Sequence, residues 1–316
     1  MDEFELIQKY FVRPDELASV ITGIGDDGAV FRPPMGKDLV TVVDTLVEDV
    51  HFRSHIDDFD AESLGYRAVA VNLSDIAAMG AEPRWMTLAL TLNEVNKYWL
   101  DDFARGLHGA AAEHGVVLVG GDTTKGECIV VTVQITGYID SDRAICRSGA
   151  RVGDTIYVSG NIGDAAAGLF LLQNPPEKFL GPHGYLQRQF QYPTPRVALG
   201  CSLVGTANAA IDVSDGLFTD LDKLLTASGV GAKIDLGKLP LSIALMTCFD
   251  KEQQRRFALS GGDDYELCFT SSKRLPEEIG GVSVTAIGEV TAQSGIVCLE
   301  ADRIVNYEDS GYIHFK

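Results

Sequence analysis

Basic residues are scarce in this sequence. Its 316 residues contain 26 lysines and arginines against 45 aspartates and glutamates, which gives a formal net charge of -19. This excess of acids disfavours nucleic acids and anionic membranes as partners, because both attract positive charge. The sequence also has no run of 18 uncharged apolar residues, and its N-terminal MDEFELIQKY carries acids where a signal peptide has lysines and an apolar block. These absences predict a soluble, cytoplasmic protein that binds neither nucleic acid nor membrane.

Metal-binding cysteine pairs and the common phosphate-binding loops are missing as well. The six cysteines are at least 18 residues apart, so no Cys-x-x-Cys pair indicates structural zinc, and most lie in apolar runs typical of a core in a reducing compartment. No Gly-x-x-x-x-Gly-Lys-Ser/Thr loop and no His-Arg-Asp loop is present. Any chemistry on ATP must therefore rely on bound metal ions.

Residues 23–28, GIGDDG, match the glycine pattern of a dinucleotide-binding loop but not its context. Both variable positions are aspartates, which repel a pyrophosphate, and the following AVFRPP ends in two prolines where that motif needs a helix. We interpret the stretch as a glycine-rich loop that carries the carboxylates of Asp26 and Asp27.

Three further aspartates follow short apolar runs. LVTVV leads to Asp44, VVLVGG to Asp122 and AAI to Asp212. Such runs alternate with helical stretches, which predicts an α/β protein, and strand exits in open α/β folds share the rim of the sheet where ligands bind. Each aspartate taken alone is also typical of a turn or a helix cap. Asp215 could cap a helix that is indicated by the spacing of Leu217, Leu221, Leu224 and Leu225.

Asp75 lies within a helical stretch from about 61 to 79. The helix face that it shares is otherwise apolar and contains Leu64, Ala68 and Val71, at spacings of four, three and four residues. The carboxylate is therefore expected to point inward, where it needs a partner to stay ionised. Arg67 or Arg84 could supply a salt bridge, and a metal ion could serve instead.

Seven acids on glycine-rich loops, strand ends and this helix form the candidate metal site: Asp26, Asp27, Asp44, Asp75, Asp122, Asp212 and Asp215. Two carboxylates about 4 Å apart repel by about 4 kcal/mol at an effective dielectric of about 20, so such a cluster needs cations. Oxygen ligands select hard ions, and Mg²⁺ shares its coordination with water and substrate phosphates. Gly120–Gly121 and Gly261–Gly262 are expected to let the backbone approach a phosphate.

Together these segments resemble the thiamine-monophosphate kinase family, within the ATP-binding superfamily of aminoimidazole ribonucleotide synthetase. The resemblance spans nearly the whole chain and rests on seven motifs in order: GIGDD (23–27), VDTLVEDVHF (43–52), AVNLSDIAAMGAEP (70–83), GGDTT (120–124), RSGARVGD (147–154), DVSDGL (212–217) and SGGDDYEL (260–267). It implies direct, magnesium-assisted, in-line transfer of the γ-phosphoryl group of ATP onto thiamine monophosphate, giving thiamine diphosphate. ATP and thiamine monophosphate are the implied partners, and several Mg²⁺ ions the implied cofactor.

The resemblance also implies roles for individual residues. The implied metal ligands are Asp27, Asp44, Asp75, Asp122, Asp212 and Asp215, and the implied ATP contacts are Gly121, Asp122, Arg147 and Ser214. Asp75, Asp122 and Arg147 are the implied catalytic residues, and a guanidinium such as that of Arg147 can grip phosphate bidentately. The implied substrate contacts are His51, Asp263 and Tyr312. Many relatives carry Glu in place of Asp263 and Ser or Thr in place of Val42 and Val43, which can offer a metal only backbone carbonyls.

Taken without the resemblance, His51 is typical of a surface histidine, and Tyr312 could equally pack or stack on a thiamine ring. The resemblance implies two α/β domains with mixed sheets, at 1–148 and 149–316, and an N-terminal sheet that pairs with a second subunit into a barrel, hence a homodimer. Residues 173–195, with five prolines, are expected to form an irregular connection. Three alternatives stay open: another acceptor within the superfamily, a non-catalytic magnesium-nucleotide binding protein, and a metal-dependent phosphohydrolase.

Overall fold

The computed structural model describes residues 3–13, 18–53, 60–301 and 303–307. Two compact units are present, each with its own mixed β-sheet. The first contains the residues up to Ile76 together with Ala81–Asp142, and the second contains Ala77–Gly80 and the residues from Arg143 onward. Among the described residues, none of the helices combines the length and the apolar character that crossing a membrane requires.

The first unit alternates helices with strands. Its helices are α1 (Glu3–Tyr10), α2 (Ala61–Ala78, of which the last two residues belong to the second unit) and α3 (Lys97–Glu113), and its strands are β1 (Val20–Thr22), β2 (Val30–Phe31), β3 (Lys37–Val47), β4 (Glu82–Leu92), β5 (Val117–Lys125) and β6 (Val130–Asp140). The main sheet has the strand order β3-β6-β4-β5, and only β4 and β5 run parallel. β1 and β2 pair separately, so a strand follows the GIGDDG loop where a dinucleotide-binding motif has a helix.

The two faces of the main sheet differ in character. Side chains of one face, among them Leu46, Met86, Val133 and Ile135, are buried in the unit. The opposite face carries hydroxyl groups paired across strands, for example Thr45 with Thr132 at 2.9 Å, and exposes Val43 with 60% of its surface accessible. Successive side chains of a strand point to opposite faces of the sheet, which separates the buried face from the exposed one.

Helices α2 and α3 pack at two glycines. α2 confirms the helix expected at 61–79, and it is buried on nearly every side. A Cβ on Gly65 would overlap the carbonyl oxygen of Phe103, and a Cβ on Gly106 would overlap that of Glu62. The two backbones therefore approach to a distance that only glycine permits.

We expect Gly106→Ala to lower the free energy of unfolding by about 3 kcal/mol, because the added methyl group must push two packed helices apart. Gly109 lies three residues further along α3, and a Cβ there has no neighbour within 4 Å. Gly109→Ala is therefore the matched control, and it should raise stability by about 0.5 to 1 kcal/mol through higher helix propensity. Urea unfolding of both variants tests the pair, and equal effects would contradict the packing argument.

The second unit is built around a larger mixed sheet. Its helices are α4 (Asp164–Gln173), α5 (Gly181–Gln191), α6 (Val197–Leu203), α7 (Leu217–Ser228), α8 (Ile243–Cys248) and α9 (Lys251–Ser260). Its strands are β7 (Thr155–Ser159), β8 (Ala209–Asp212), β9 (Gly231–Asp235), β10 (Leu267–Ser271), β11 (Glu278–Ile279), β12 (Val282–Thr291), β13 (Gly295–Glu300) and β14 (Arg303–Val305). The order is β14-β13-β9-β12-β7-β10-β8, with β11 on β12, and β9 and β13 run parallel.

The hydrophobic core of this unit lies between the sheet and α7. Leu217, Leu221, Leu224 and Leu225 of α7 are all buried there with Ile156, Val158 and Ile211 of the strands, as the leucine spacing indicated. A second buried cluster joins Tyr157 and Phe269, whose stacked rings have centroids 5.5 Å apart, to α6. Burying these side chains is the main favourable term for folding the unit.

Two expectations about this part of the chain were wrong. Residues 173–195 are not an irregular connection, because α5 occupies Gly181–Gln191 with Pro182 in its first turn, where proline fits a helix. The cysteines are mostly not core residues, since only Cys268 and Cys298 are buried while Cys146 and Cys201 are exposed. All six are free thiols.

Candidate active site

A pocket of about 400 Å³ in the first unit brings two of the sequence motifs together. It is lined by residues 24–29, by residues 118–123, and by Ile7, Gln8, Phe11 and Leu88. Asp27, on the glycine-rich loop, and Asp122, on β5, therefore face one space although they are 95 positions apart in the chain. The loop itself is tied locally, since the amide of Asp27 donates to the Asp26 carboxylate at 2.8 Å.

Asp44 and Asp122 do not lie at strand exits, contrary to the sequence expectation. β3 continues three residues beyond Asp44 to Val47, and β5 three residues beyond Asp122 to Lys125. Strand pairing continues past both acids, with Leu46 paired to Val131 and Thr124 paired to Thr91. Asp212 does end its strand, β8, and is buried there.

Asp44 and Asp122 occupy opposite edges of the four-stranded sheet. Asp44 pairs with Val133, which pairs with Leu88, which pairs with Gly121, the residue before Asp122. At about 4.8 Å per strand, three strand spacings separate the two edges by about 14 Å. One metal ion cannot reach both carboxylates across this sheet, since Mg–O distances are about 2.1 Å.

Asp75 is half-buried on α2, between the buried Ser74 and Ile76. Of the two arginines considered as its partner, Arg84 bridges to Glu82 and donates to the Tyr138 hydroxyl at 3.0 Å. The guanidinium of Arg84 is thus engaged on the sheet. Arg67 is buried on the same helix as Asp75.

His51 lies in the turn after β3. The Val47 amide donates to His51 Nδ1 at 3.1 Å, and the His51 amide donates to the Val47 carbonyl at 2.9 Å. Because Nδ1 accepts a hydrogen bond, the neutral ring carries its proton on Nε2. Tyr312, another substrate contact that the resemblance implies, lies outside the described residues.

In the second unit, the backbone of the segment Asp212 to Asp215 is bonded by Asp220, a residue not predicted from the sequence. The Asp220 carboxylate accepts the amides of Ser214 and Asp215, both at 2.9 Å. Asp215 does not cap α7, whose N-cap is Gly216 without a side-chain bond. Its carboxylate instead binds the ammonium group of Lys223 at 2.5 Å.

Lys223 bridges Asp215 and Asp220, with 2.8 Å to the latter. Burial lowers the pKa of Lys223, but its hydrogen bonds and charge interactions with the two aspartates outweigh this, and the pKa is raised overall. Burial raises the pKa of Asp220, while the hydrogen bond from Lys223 opposes that rise. The ammonium group thus stays charged and offsets part of the negative charge of this segment.

Arg147 is an exposed residue in the connection between β6 and β7. Its carbonyl accepts a hydrogen bond from the Ser228 hydroxyl at 3.1 Å, and the same hydroxyl accepts the Gly149 amide at 3.1 Å. The backbone around Arg147 is therefore fixed on the end of α7, while its guanidinium lies in a solvent-accessible position.

Asp263 lies in the loop between α9 and β10 with a left-handed backbone, φ 71°. Its amide donates to the Ser214 carbonyl at 2.9 Å, and the Tyr265 hydroxyl donates to its carboxylate at 3.2 Å. The two preceding glycines are also required by packing. A Cβ on Gly262 would overlap the Ser214 carbonyl, and one on Gly261 would overlap that of Phe257.

Within residues 3–13, 18–53, 60–301 and 303–307, no three His, Cys, Asp or Glu side chains are arranged to hold one metal ion. The predicted acids that the structure does bring together are Asp26, Asp27 and Asp122 at the pocket of the first unit, and Asp212 with Asp215 on one segment of the second.

Comparison with known proteins identifies the family. The model for the AIR synthase related protein N-terminal domain matches residues 25–139, and that for the C-terminal domain matches residues 151–299. The thiamine-monophosphate kinase of Salmonella typhimurium is 46% identical over 324 residues, covering 99% of this chain and 98% of that protein. This chain belongs to the thiamine-monophosphate kinase family. The family resemblance drawn from the seven motifs is thereby confirmed.

Solved structures of thiamine-monophosphate kinase agree with the fold. The enzyme from Stenotrophomonas maltophilia K279a matches with a TM-score of 0.83 at 39% identity, covering 90% of this chain and 92% of that one. AaThiL complexed with AMPPCP and TMP matches with a TM-score of 0.79 at 34% identity and covers 92% of both chains. The two-domain α/β fold with mixed sheets, expected from the thiamine-monophosphate kinase resemblance, is confirmed.

In this thiamine-monophosphate kinase family member, a group of buried polar residues beside the 261–266 loop was not anticipated from sequence. Glu266 forms a bidentate ion pair with Arg196, with Nε to Oε2 at 2.7 Å, and accepts the Ser159 hydroxyl at 2.5 Å. Asp164 accepts the Ser242 hydroxyl at 2.6 Å, and burial raises its pKa to about 6. The partners are 70 to 107 positions apart, so no local pattern in the sequence could have identified them.

Proposed function

We propose that this chain transfers the γ-phosphoryl group of ATP to the phosphate of thiamine monophosphate, giving thiamine diphosphate and ADP. The observation that carries the proposal is the identity of 46%, over essentially the full length of both chains, with a thiamine-monophosphate kinase. A phosphate oxygen of the acceptor attacks the γ-phosphorus, and the bond from that phosphorus to the β–γ bridging oxygen breaks. The acceptor phosphate is already ionised near neutral pH, so no general base is needed.

The donor set of the chain fits magnesium. Asp27 and Asp122 at the pocket, with Asp44 and Asp75, are the proposed ligands of the first unit, and Asp212 and Asp215 those of the second. Mg²⁺ commonly takes one or two carboxylates and completes its shell with water and phosphate oxygens, so a preassembled cage of three acids is not required. Bound Mg²⁺ would neutralise phosphate charge and orient the two reactants for in-line transfer.

Other residues of the chain are proposed to bind and orient the reactants. Gly121 and Asp122 are proposed to contact a nucleotide phosphate and its metal ion, and their place in the lining of the first-unit pocket supports this. Arg147 and Ser214 are proposed ATP contacts of the second unit. The exposed guanidinium of Arg147 stabilises charge on the transferring group, because it can donate two parallel hydrogen bonds to phosphate oxygens.

His51, Asp263 and Tyr312 are the proposed acceptor contacts. His51 can donate from Nε2 to a phosphate oxygen, since its Nδ1 already accepts the Val47 amide. Asp263 carries a negative charge that complements the cationic thiazolium ring of the acceptor. Its side chain is one methylene shorter than the glutamate of many relatives, and the left-handed backbone at this position sets its direction.

We further propose that the chain is a cytoplasmic homodimer whose first-unit sheets face each other, with domains at 1–148 and 149–316. The support is the exposed sheet face with Val43 and Leu39, and the two long edge strands β3 and β5. Natural proteins rarely leave such edges uncovered. Sedimentation equilibrium would give twice the chain mass of 34.0 kDa for the dimer, and the chain mass itself would contradict it.

Chromatography of reaction mixtures tests the proposed reaction. Purified protein is incubated with ATP, Mg²⁺ and thiamine monophosphate, with magnesium omitted in one control and the acceptor in another. Thiamine diphosphate is expected only in the complete mixture. ADP without thiamine diphosphate would favour another acceptor or a phosphohydrolase, and bound nucleotide without any product would favour the non-catalytic binding protein.

A further inference from the structure

The loop that carries Asp263 contains two non-glycine residues in left-handed conformation. Asp263 has φ 71° and Tyr265 has φ 51°. This backbone region costs roughly 1–2 kcal/mol for a residue with a Cβ, and a bulky side chain such as tyrosine enters it rarely. Such a conformation persists only where the surrounding structure holds it, and it is found preferentially at functional sites.

Asp264, between these two residues, anchors the loop to the start of α4. Its carboxylate accepts the Gly163 amide at 2.6 Å and the Ala165 amide at 3.1 Å. Gly163 is the N-cap residue of α4 and has no side chain with which to cap it. The carboxylate of Asp264, about a hundred positions away in the chain, therefore supplies the missing cap.

The other side of the loop is bonded to the segment of the proposed metal ligands. The Asp263 amide donates to the Ser214 carbonyl and the Tyr265 amide to the Val213 carbonyl, both at 2.9 Å. Asp264 therefore lies at the centre of a bridge from α4 to the 212–215 segment. If its anchor is removed, the left-handed turn can relax, and the Asp263 side chain loses its fixed direction.

We propose that Asp264 is a positioning residue for the acceptor. Its carboxylate fixes the left-handed turn that points Asp263 toward thiamine monophosphate. This inference rests on the proposed function, in which Asp263 contacts the acceptor. A helix cap of purely structural importance would lower stability without changing the preference for either substrate.

Asp264→Asn separates these two roles. The amide retains one acceptor oxygen but turns an NH₂ group toward a backbone N–H, so only one of the two anchor bonds can form. We expect the KM for thiamine monophosphate to rise about tenfold, while the KM for ATP and kcat stay within about twofold. Asp264→Glu keeps both acceptor oxygens and should give an intermediate KM for thiamine monophosphate.

Asp250→Asn is the matched control. Asp250 is the exposed N-cap of α9 and accepts the Gln253 amide at 2.9 Å, so the same chemical change is made at a cap outside the loop. Its KM values for both substrates should equal those of the wild type, because asparagine caps helices about as well as aspartate.

The result that overturns the inference is an Asp264→Asn enzyme with an unchanged KM for thiamine monophosphate, or with equal rises in both KM values. If circular dichroism shows that Asp264→Asn does not fold, Asp264→Glu decides by the same criterion. A wild-type chain that forms no thiamine diphosphate would overturn the proposed function, and this inference with it. An active wild type with unaltered variants would overturn the inference alone.

Discussion

Asp122→Asn is expected to lower kcat for thiamine diphosphate formation about a thousandfold at saturating Mg²⁺, a loss of about 4 kcal/mol of transition-state stabilisation. Asp122 is exposed on β5 and is one of the residues that line the pocket, together with Asp27. An amide of the same shape keeps the packing of the strand but removes the charge that we propose holds a divalent cation against phosphate. Steady-state kinetics with varied Mg²⁺ measure the effect.

Asp140→Asn provides the control for this substitution. Asp140 is an exposed aspartate at the end of β6 in the same sheet, where it pairs with Lys37 at 2.6 Å. An exposed ion pair contributes about 1 kcal/mol or less, so this variant should fold and react as the wild type does. Full activity of Asp122→Asn would contradict the metal role of its carboxylate, as would an equal loss in both variants.

Gly121→Ala is expected to destabilise the first unit by about 4 kcal/mol and to abolish activity. A Cβ at this position would overlap the Leu88 backbone on the paired strand β4, and the residue has φ 157°. Overpacking costs about 1–3 kcal/mol, and a strained backbone adds about 1 kcal/mol or more. β5 would have to move away from β4, which displaces Asp122 from the pocket. Thermal unfolding and the activity assay measure the two effects.

The adjacent Gly120 offers a control one residue away. The nearest atom to a Cβ there is Cγ2 of Thr87, at 4.0 Å, which leaves room for a methyl group. Gly120→Ala should therefore change stability by about 1 kcal/mol or less in either direction. Equal destabilisation by the two alanines would show that the close approach of Leu88 does not determine the need for glycine at 121.

Features that depend on residues close together in the chain, such as the periodicity of a buried helix, were predicted from the sequence. The period of α2 was visible because a buried helix must place apolar residues at spacings of three and four. The leucines of α7 were predicted in the same way and all are buried. The order of seven motifs was enough to identify the family, since each motif keeps its position along the chain.

The positions of Asp44 and Asp122 were predicted less well, because an aspartate looks like the end of a strand when only one strand is considered. In the sheet, both lie on edge strands, where a polar side chain can face solvent while backbone pairing continues. The sequence does not show which strands pair with each other. An aspartate within an edge strand therefore cannot be distinguished from one at the end of a strand.

The anchors of the second unit were not predictable at all from local pattern. Asp264 meets α4 across about 100 residues and Glu266 meets Arg196 across 70. The three acids of the run Asp263 to Glu266 have separate contacts in the structure. Asp264 and Glu266 hold the loop to the rest of the unit, and Asp263 has a left-handed backbone between these anchors and Ser214.

The most direct test of the account follows the phosphoryl group itself. Purified protein is incubated with Mg²⁺, thiamine monophosphate and ATP labelled with ³²P in the γ-phosphate, and the products are separated. The account predicts label in the terminal phosphate of thiamine diphosphate, formed in equal amount to ADP. Label released as inorganic phosphate, or retained in ATP while thiamine monophosphate stays unchanged, would contradict it.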